Sequence, residues 1–197
     1  MFPKSFQNLI KHFSNLPEIG PKMAERLVLY LFKQEPAFLE SFEKSFLNFR
    51  NNVRFCKKCF HICEGDFCEI CLDNKRDKKT ICVVQTPLDV IAIEKTRRYY
   101  GLYHVLGGNL SIMSKNEAAG LKIDELKKRL EKEAIVEVIL ANNPTADGDT
   151  TALYLARIIK PMGIKVTRLA RGLATGGDIE HSDEITLSSA IDGRKEF

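Results

Sequence analysis

The chain has no apolar run that exceeds seven residues and no basic-then-apolar leader at Met1. It therefore offers neither a membrane-spanning helix nor a secretory signal, and reads as soluble and cytoplasmic. It has no G-x-x-x-x-G-K-[ST] loop to cradle nucleotide phosphates, so ATP hydrolysis has no support. Internal repeats and low-complexity segments are missing too. Charge of one sign is scarce: 30 Lys and Arg against 26 Asp and Glu leave +4, too small a surplus to prove a polyanion partner. Its distribution is more informative. Residues 1–54 carry eight basic and five acidic side chains, residues 55–80 six and five, and residues 81–197 sixteen of each, so the excess lies in the first 80. If nucleic acid is bound, the N-terminal part does much of it.

Cysteine is concentrated. Five of the six lie within sixteen residues, and C56-K-K-C59 followed after eight residues by C68-E-I-C71 makes two knuckles whose thiolates can close tetrahedrally on one Zn²⁺. Four cysteines leave no open coordination position, which reads as a structural ion, one per chain, standing in for the core that so short and polar a segment lacks. A disulfide framework would belong to a small exported domain, and this chain is neither small nor signalled. His61 and Cys63 lie between the knuckles and read as spectators, because two intact CxxC pairs already complete the tetrahedron. Cys82, inside I81-C82-V83-V84, reads as a small buried core residue.

Periodicity divides the rest. Phe6, Leu9, Ile10 and Phe13 recur at helical spacing, L16-P-E-I-G-P21 interrupts, and Met23, Ala24, Leu27, Val28, Leu31 and Phe32 resume the period, a helix-hairpin-helix pattern. A third amphipathic helix opens near Pro36 with Leu39, Phe42, Phe46 and Phe49 on one face. Beyond the zinc segment and the charge-rich hinge 73–79, strands and helices alternate: strands over 81–85, 103–106, 135–140 and 164–169, helices over 87–94, 124–132 and 150–160. That alternation predicts a mainly parallel sheet with helices on both faces. The expected fold is α+β and multidomain: a helix-hairpin-helix domain at 1–54, a C4 zinc finger at 55–78, an α/β domain at 79–172 and a C-terminal interface segment at 173–197.

Two places invite chemistry. The second helix of the hairpin begins at Gly20-Pro21, so its free N–H groups, with Lys22 and Arg26 one turn apart, form a place for backbone phosphates that reads no base. Two solvated charges on an ordinary helix would look the same. The segment N142-N-P-T-A-D147-G-D149 follows a strand, where open α/β sheets keep their sites, and Asp147 with Asp149 suits a divalent cation. The plainer alternative makes Asp149 a helix N-cap and Asp147 a first-turn acid. A catalytic metal would need a further carboxylate at the end of the first strand, where this chain has Gln85, unless Asp89 or Glu94 substitutes. The tail G172-L-A-T-G-G-D-I-E-H-S-D-E184 combines a glycine turn with acids that can suggest a nucleotide-site strand, and reads more simply as an interface segment in which His181 is a surface side chain.

Taken in order, these pieces resemble the bacterial recombination mediator family RecR from about Leu16 to Arg194. L16-P-E-I-G-P-K22-M-A-E-R26 resembles its helix-hairpin-helix and the paired CxxC its zinc finger. I81-C-V-V-Q-T-P-L-D-V-I-A-I-E94, Y103-H-V-L-G-G-N-L-S111 and E137-V-I-L-A-N-N-P-T145 resemble its Toprim domain, and G176-G-D-I-E180, D183-E184 and T186-L187 its closing segment, described as similar to a Walker B strand. The resemblance implies no enzyme. It implies a ring-forming clamp, usually a tetramer, that joins RecO and RecF and helps load RecA onto single-stranded DNA. Lys22 and Arg26 inherit DNA contact, on single or double strands without sequence preference, and Asp147 and Asp149 inherit contacts with partners or DNA. The competing enzyme reading is a Mg²⁺-dependent Toprim nuclease or topoisomerase-like phosphoryl transferase. The chain departs from the family pattern at Glu18 (usually glycine), Gln85 (usually glutamate), His181 (usually tyrosine) and I112-M-S-K-N-E-A-A-G120 (usually rich in proline and glycine).

Overall fold

The computed structural model describes residues 2–110, 120–194 and 196. The I112–G120 departure therefore lies almost wholly outside the described residues. The chain forms two compact units, Met1–Val53 and Arg54–Phe197.

The first unit is helical: α1 (Lys4–Ser14), α2 (Pro21–Phe32) and α3 (Pro36–Asn52). Pro21 and Pro36 open their helices at the position where a missing N–H costs nothing. α1 and α2 pack as an antiparallel hairpin, with Ala24 and Val28 buried and Phe6 edge-on to Phe32 at 6.3 Å between centroids. Those two are the unit's only buried apolar side chains among the described residues. No residue of α3 is buried: Phe42, Phe46 and Phe49, expected on its apolar face, are 49, 62 and 61% exposed.

The second unit begins with the paired strands β1 (Val53–Phe55) and β2 (Ile62–Glu64) and the short helix α4 (Glu69–Leu72). There follow β3 (Thr80–Val84), α5 (Pro87–Lys95), β4 (Leu102–Val105), α6 (Ile123–Lys132), β5 (Glu137–Ala141), α7 (Ala146–Ile159) and β6 (Lys165–Arg168), closed by a 3₁₀ turn at Ile179–His181 and helix α8 (Glu184–Asp192). The sheet runs β4-β3-β5-β6, parallel at every pairing, with Ile81 opposite both Leu102 and Val138. Period-two alternation divides its side chains cleanly. Ile81, Val83, Leu102, Val138 and Leu140 meet Leu126 and Leu130 of α6 and Ala152, Leu155 and Ile159 of α7. Cys82, Val84, Tyr103 and Val105 face the other way, toward Val90 of α5 and toward Phe60 and Ile70 of the zinc segment. Helices on both faces were expected; half of the second cover turns out to be the zinc finger.

Three expectations need correction. The charged stretch 73–79 is not a free hinge. Arg76 donates to the Glu94 carboxylate and, at 3.1 Å, to the Gly101 carbonyl, while the Asp77 N–H donates to the Tyr100 carbonyl at 2.9 Å. Asp149 is not an N-cap: α7 starts four residues earlier than expected, and Thr145 caps it by accepting the Gly148 N–H at 3.2 Å. The acidic tail holds no strand among its described residues, because Asp183 accepts the Thr186 N–H at 2.9 Å and starts α8.

His104 of β4 is fully buried, with Nε2 2.7 Å from the Lys122 carbonyl and Nδ1 without a partner. Burial pushes its pKa down to about 4. A histidine neutral in the fold but protonated at its ordinary pKa when unfolded adds stability that is complete above about pH 6.5. That stability is lost as pH falls toward 4, up to about 3.5 kcal/mol at roughly 1.4 per pKa unit. The His104→Gln variant should lose less melting temperature than the parent between pH 7 and pH 4.5. Parallel melting curves check this, since acid release of zinc is common to both proteins.

Candidate metal centre and sheet crevice

Cys56, Cys59, Cys68 and Cys71 place their four Sγ atoms within 4.8 Å of one another, three of the residues buried and the fourth half-buried. Tetrahedral Zn–S bonds of about 2.3 Å set sulfurs roughly 3.8 Å apart, and Cys59 and Cys68 Sγ lie at 3.5 Å. The donor set fits zinc. Local backbone bonds build it: the Cys56 N–H donates to the His61 carbonyl at 2.7 Å, the Phe60 N–H returns to the Cys56 carbonyl at 3.0 Å, and the Cys68 N–H donates to Cys56 Sγ at 3.4 Å. Hydrogen bonds among the sulfurs split their acidities. Cys59 is raised by its bonds to Cys68 and Cys71 and by burial, and Cys68 is lowered by the bond from Cys59. A divalent ion removes that competition by taking all four as thiolates. Cys63 stands outside the set and lies 3.4 Å from the Gly65 carbonyl, as expected of a spectator; His61 is also outside, its Nδ1 buried and unpartnered. Cys82 is buried, which pushes its thiol up to about 12.

This module is attached to the sheet. The Val105 N–H of β4 donates to the Cys59 carbonyl at 2.8 Å, and Phe60 and Ile70 fill the face around Tyr103.

At the carboxyl ends of the strands, the chain leaves β3 toward β4 on one side and reaches β5 on the other, which makes the space above β3 and β5 the natural crevice. It is lined by amides. Asn143 Nδ2 donates to Gln85 Oε1 at 2.9 Å across it, and Asn142 is buried, its Oδ1 without a partner among the described residues. Gly148 is required by close approach, since a Cβ there would sit 2.0 Å from the Asn143 carbonyl oxygen. Asp147 has no side-chain partner among the described residues. Asp149 accepts hydrogen bonds from both Arg168, the last residue of β6, and Arg171, which hold its carboxyl below the usual range.

The two proposed substitute carboxylates are also engaged. Asp89 accepts the Thr86 N–H at 2.7 Å and the Thr86 hydroxyl at 3.0 Å in a capping box. Burial raises the pKa of Glu94, but donors from Arg76 and from the Tyr103 hydroxyl at 2.7 Å outweigh it and leave it lowered. Among the described residues one free carboxylate, that of Asp147, remains at the crevice, where a catalytic divalent cation needs several. Sequence reading missed Asn143, Arg168 and Arg171. The end of β6 was the available clue, since strand ends converge on the crevice.

On the hairpin, Lys22 and Arg26 are exposed on the first two turns of α2 with no partner among the described residues. Glu18 has φ +64°, the left-handed conformation that a glycine adopts freely.

Matches to three family models cover the second unit. Residues 53–73 match the RecR four-cysteine zinc finger domain, 79–170 the Toprim domain and 172–195 the RecR C-terminal model. Fold and site together define a zinc-stapled Toprim protein of recombinational repair, with a ligand set for one structural zinc ion per chain. The chain belongs to the RecR family.

Two outcomes follow from this geometry. Cys56→Ser or Cys71→Ser should release zinc and lower the melting temperature sharply, since structural zinc contributes about 10–16 kcal/mol in finger peptides; metal analysis with calorimetry checks it. Glu18→Gly should raise stability by about 1 kcal/mol by removing left-handed strain, as measured by denaturant melts.

Proposed function

We propose that the protein is a non-catalytic, ring-forming DNA clamp that acts with RecO and RecF to help load RecA onto single-stranded DNA. The observation that carries the non-catalytic part is the crevice, where Asp149 is neutralised by two guanidinium groups and Gln85 is covered by Asn143. Family membership and the two unpaired cations of α2 support the grip on sugar-phosphate, on single or double strands and without base reading. Self-association is supported by the thin core of the first unit and the uncovered aromatic face of α3, which a second copy would bury. Ile185 and Ile191 of α8, 75 and 62% exposed, fit a C-terminal interface segment in the same assembly, a tetrameric ring. No helix among the described residues is long and apolar enough to cross a membrane, in keeping with a cytoplasmic clamp. The four-part division at 1–54, 55–78, 79–172 and 173–197 belongs to this proposal, as do DNA contact by Lys22 and Arg26 and partner or DNA contact by Asp147.

Replacing Lys22 and Arg26 together by Ala should weaken strand binding, and should cut the slope of log affinity against log salt by about 1.4, at roughly 0.7 per phosphate, with no change in melting temperature. Unchanged titrations would reduce the hairpin to scaffold. Incubation with labelled DNA and Mg²⁺ or Mn²⁺ should leave the strands intact, and cleavage abolished by Asp147→Ala would replace the clamp with the nuclease.

A further inference from the structure

A groove of about 290 Å³ runs between the first zinc knuckle and α6, within the second unit and away from the crevice. Five cations line it, Lys57, Lys58, Lys128, Arg129 and Lys132, against the carboxylates of Glu125 and Glu133. Its rim adds Lys122, paired with Glu125 at 3.2 Å, and Asp66, paired with Lys57 at 2.8 Å. Six cations against three carboxylates leave three positive charges here. The internal pairs leave particular cations over. Glu133 is shared by Lys58 and by Arg129, while Lys128 and Lys132, one helical turn apart and both exposed, have no partner among the described residues. Arg129 is buried, bonds the Tyr103 carbonyl through Nη1 at 2.7 Å, and has no acceptor for Nη2 among the described residues.

The floor carries a second, independent peculiarity. Phe60 has φ +63°, a conformation that a bulky residue adopts only when its surroundings hold it there. The zinc knuckle imposes the turn. The ring is held between the edge of His104, 5.4 Å away, and Lys122 Nζ, 5.3 Å from its centroid. A glycine would make this turn without strain; the phenylalanine instead gives the groove an apolar floor and fixes Lys122 at its rim.

We infer that this groove is a second nucleic-acid site, in which Lys128 and Lys132, backed by Lys57 and Lys58, take neighbouring phosphates of one strand. The contact is electrostatic and indifferent to sequence. The inference rests on the clamp reading and extends it: the hairpin of the first unit and the zinc side of the second each hold strand.

The test uses the full-length zinc-loaded protein with fluorescent oligo(dT) titrated over a salt series, comparing wild type, Lys22→Ala/Arg26→Ala, Lys128→Ala/Lys132→Ala and the control Lys127→Ala, whose side chain is exposed on α6 outside the groove. The groove variant should keep its zinc and melting temperature and lose about 1.4 from the salt slope, at roughly 0.7 per phosphate, additively with the hairpin variant; the control should keep the wild-type slope. A groove variant with the wild-type slope overturns the site while leaving the clamp standing. So does one that loses affinity for polyglutamate but keeps the wild-type DNA slope, which would assign the groove to an acidic protein. Wild-type protein that retains no strand at the lowest salt overturns both readings.

Discussion

The structure of the second unit depends on four sulfurs brought within reach of a single ion. Zinc closes the loop from Cys56 to Cys71, and that closed loop presents the Cys59 carbonyl to the Val105 N–H and the side chains of Phe60 and Ile70 to the sheet. A four-stranded parallel sheet must be covered on both faces. Here one face has two long helices, whereas the other has, among the described residues, α5 and this metal-held module. The ion therefore acts beyond its own loop, because without it Tyr103 and Val84 would lose part of their cover.

The crevice shows a different economy of charge. A sheet of this topology directs its strand ends to one place, and in this chain that place is occupied by amides and by an aspartate already matched with two arginines. Opposite charges in contact satisfy one another and leave little field for an incoming ion. The remaining carboxylates nearby serve local structure, Asp89 by starting α5 and Glu94 by fastening Arg76.

Unsatisfied features lie elsewhere. The aromatic face of α3, the exposed isoleucines of α8, the two exposed cations of α2 and the surplus lysines beside the zinc knuckle are all costly or idle in an isolated chain. On the proposed clamp reading, the apolar ones meet protein and the cationic ones phosphate, and an assembly that encircles a strand would add many such weak contacts into firm retention.

The amino-acid sequence by itself determined the zinc ligands, the order and type of the sheet elements and the hairpin with its two cations. In each case the determining physics is local: a CxxC turn aims its own sulfurs, and apolar periods of 3.6 and 2 report helix and strand. The family resemblance, rather than the sequence by itself, marked Glu18 as a departure, and the left-handed backbone there explains why a glycine suits that position. Only the tertiary structure decided that Asp149 pairs with Arg168 and Arg171, that Arg76 pins the supposed hinge to Glu94, and that Lys128 and Lys132 share a groove with Lys57 and Lys58. Those partners lie 18 to 75 positions apart in the chain, and charge carries no periodicity from which such a pairing can be read; it becomes visible only when strand crossovers and a metal-closed loop bring the groups together.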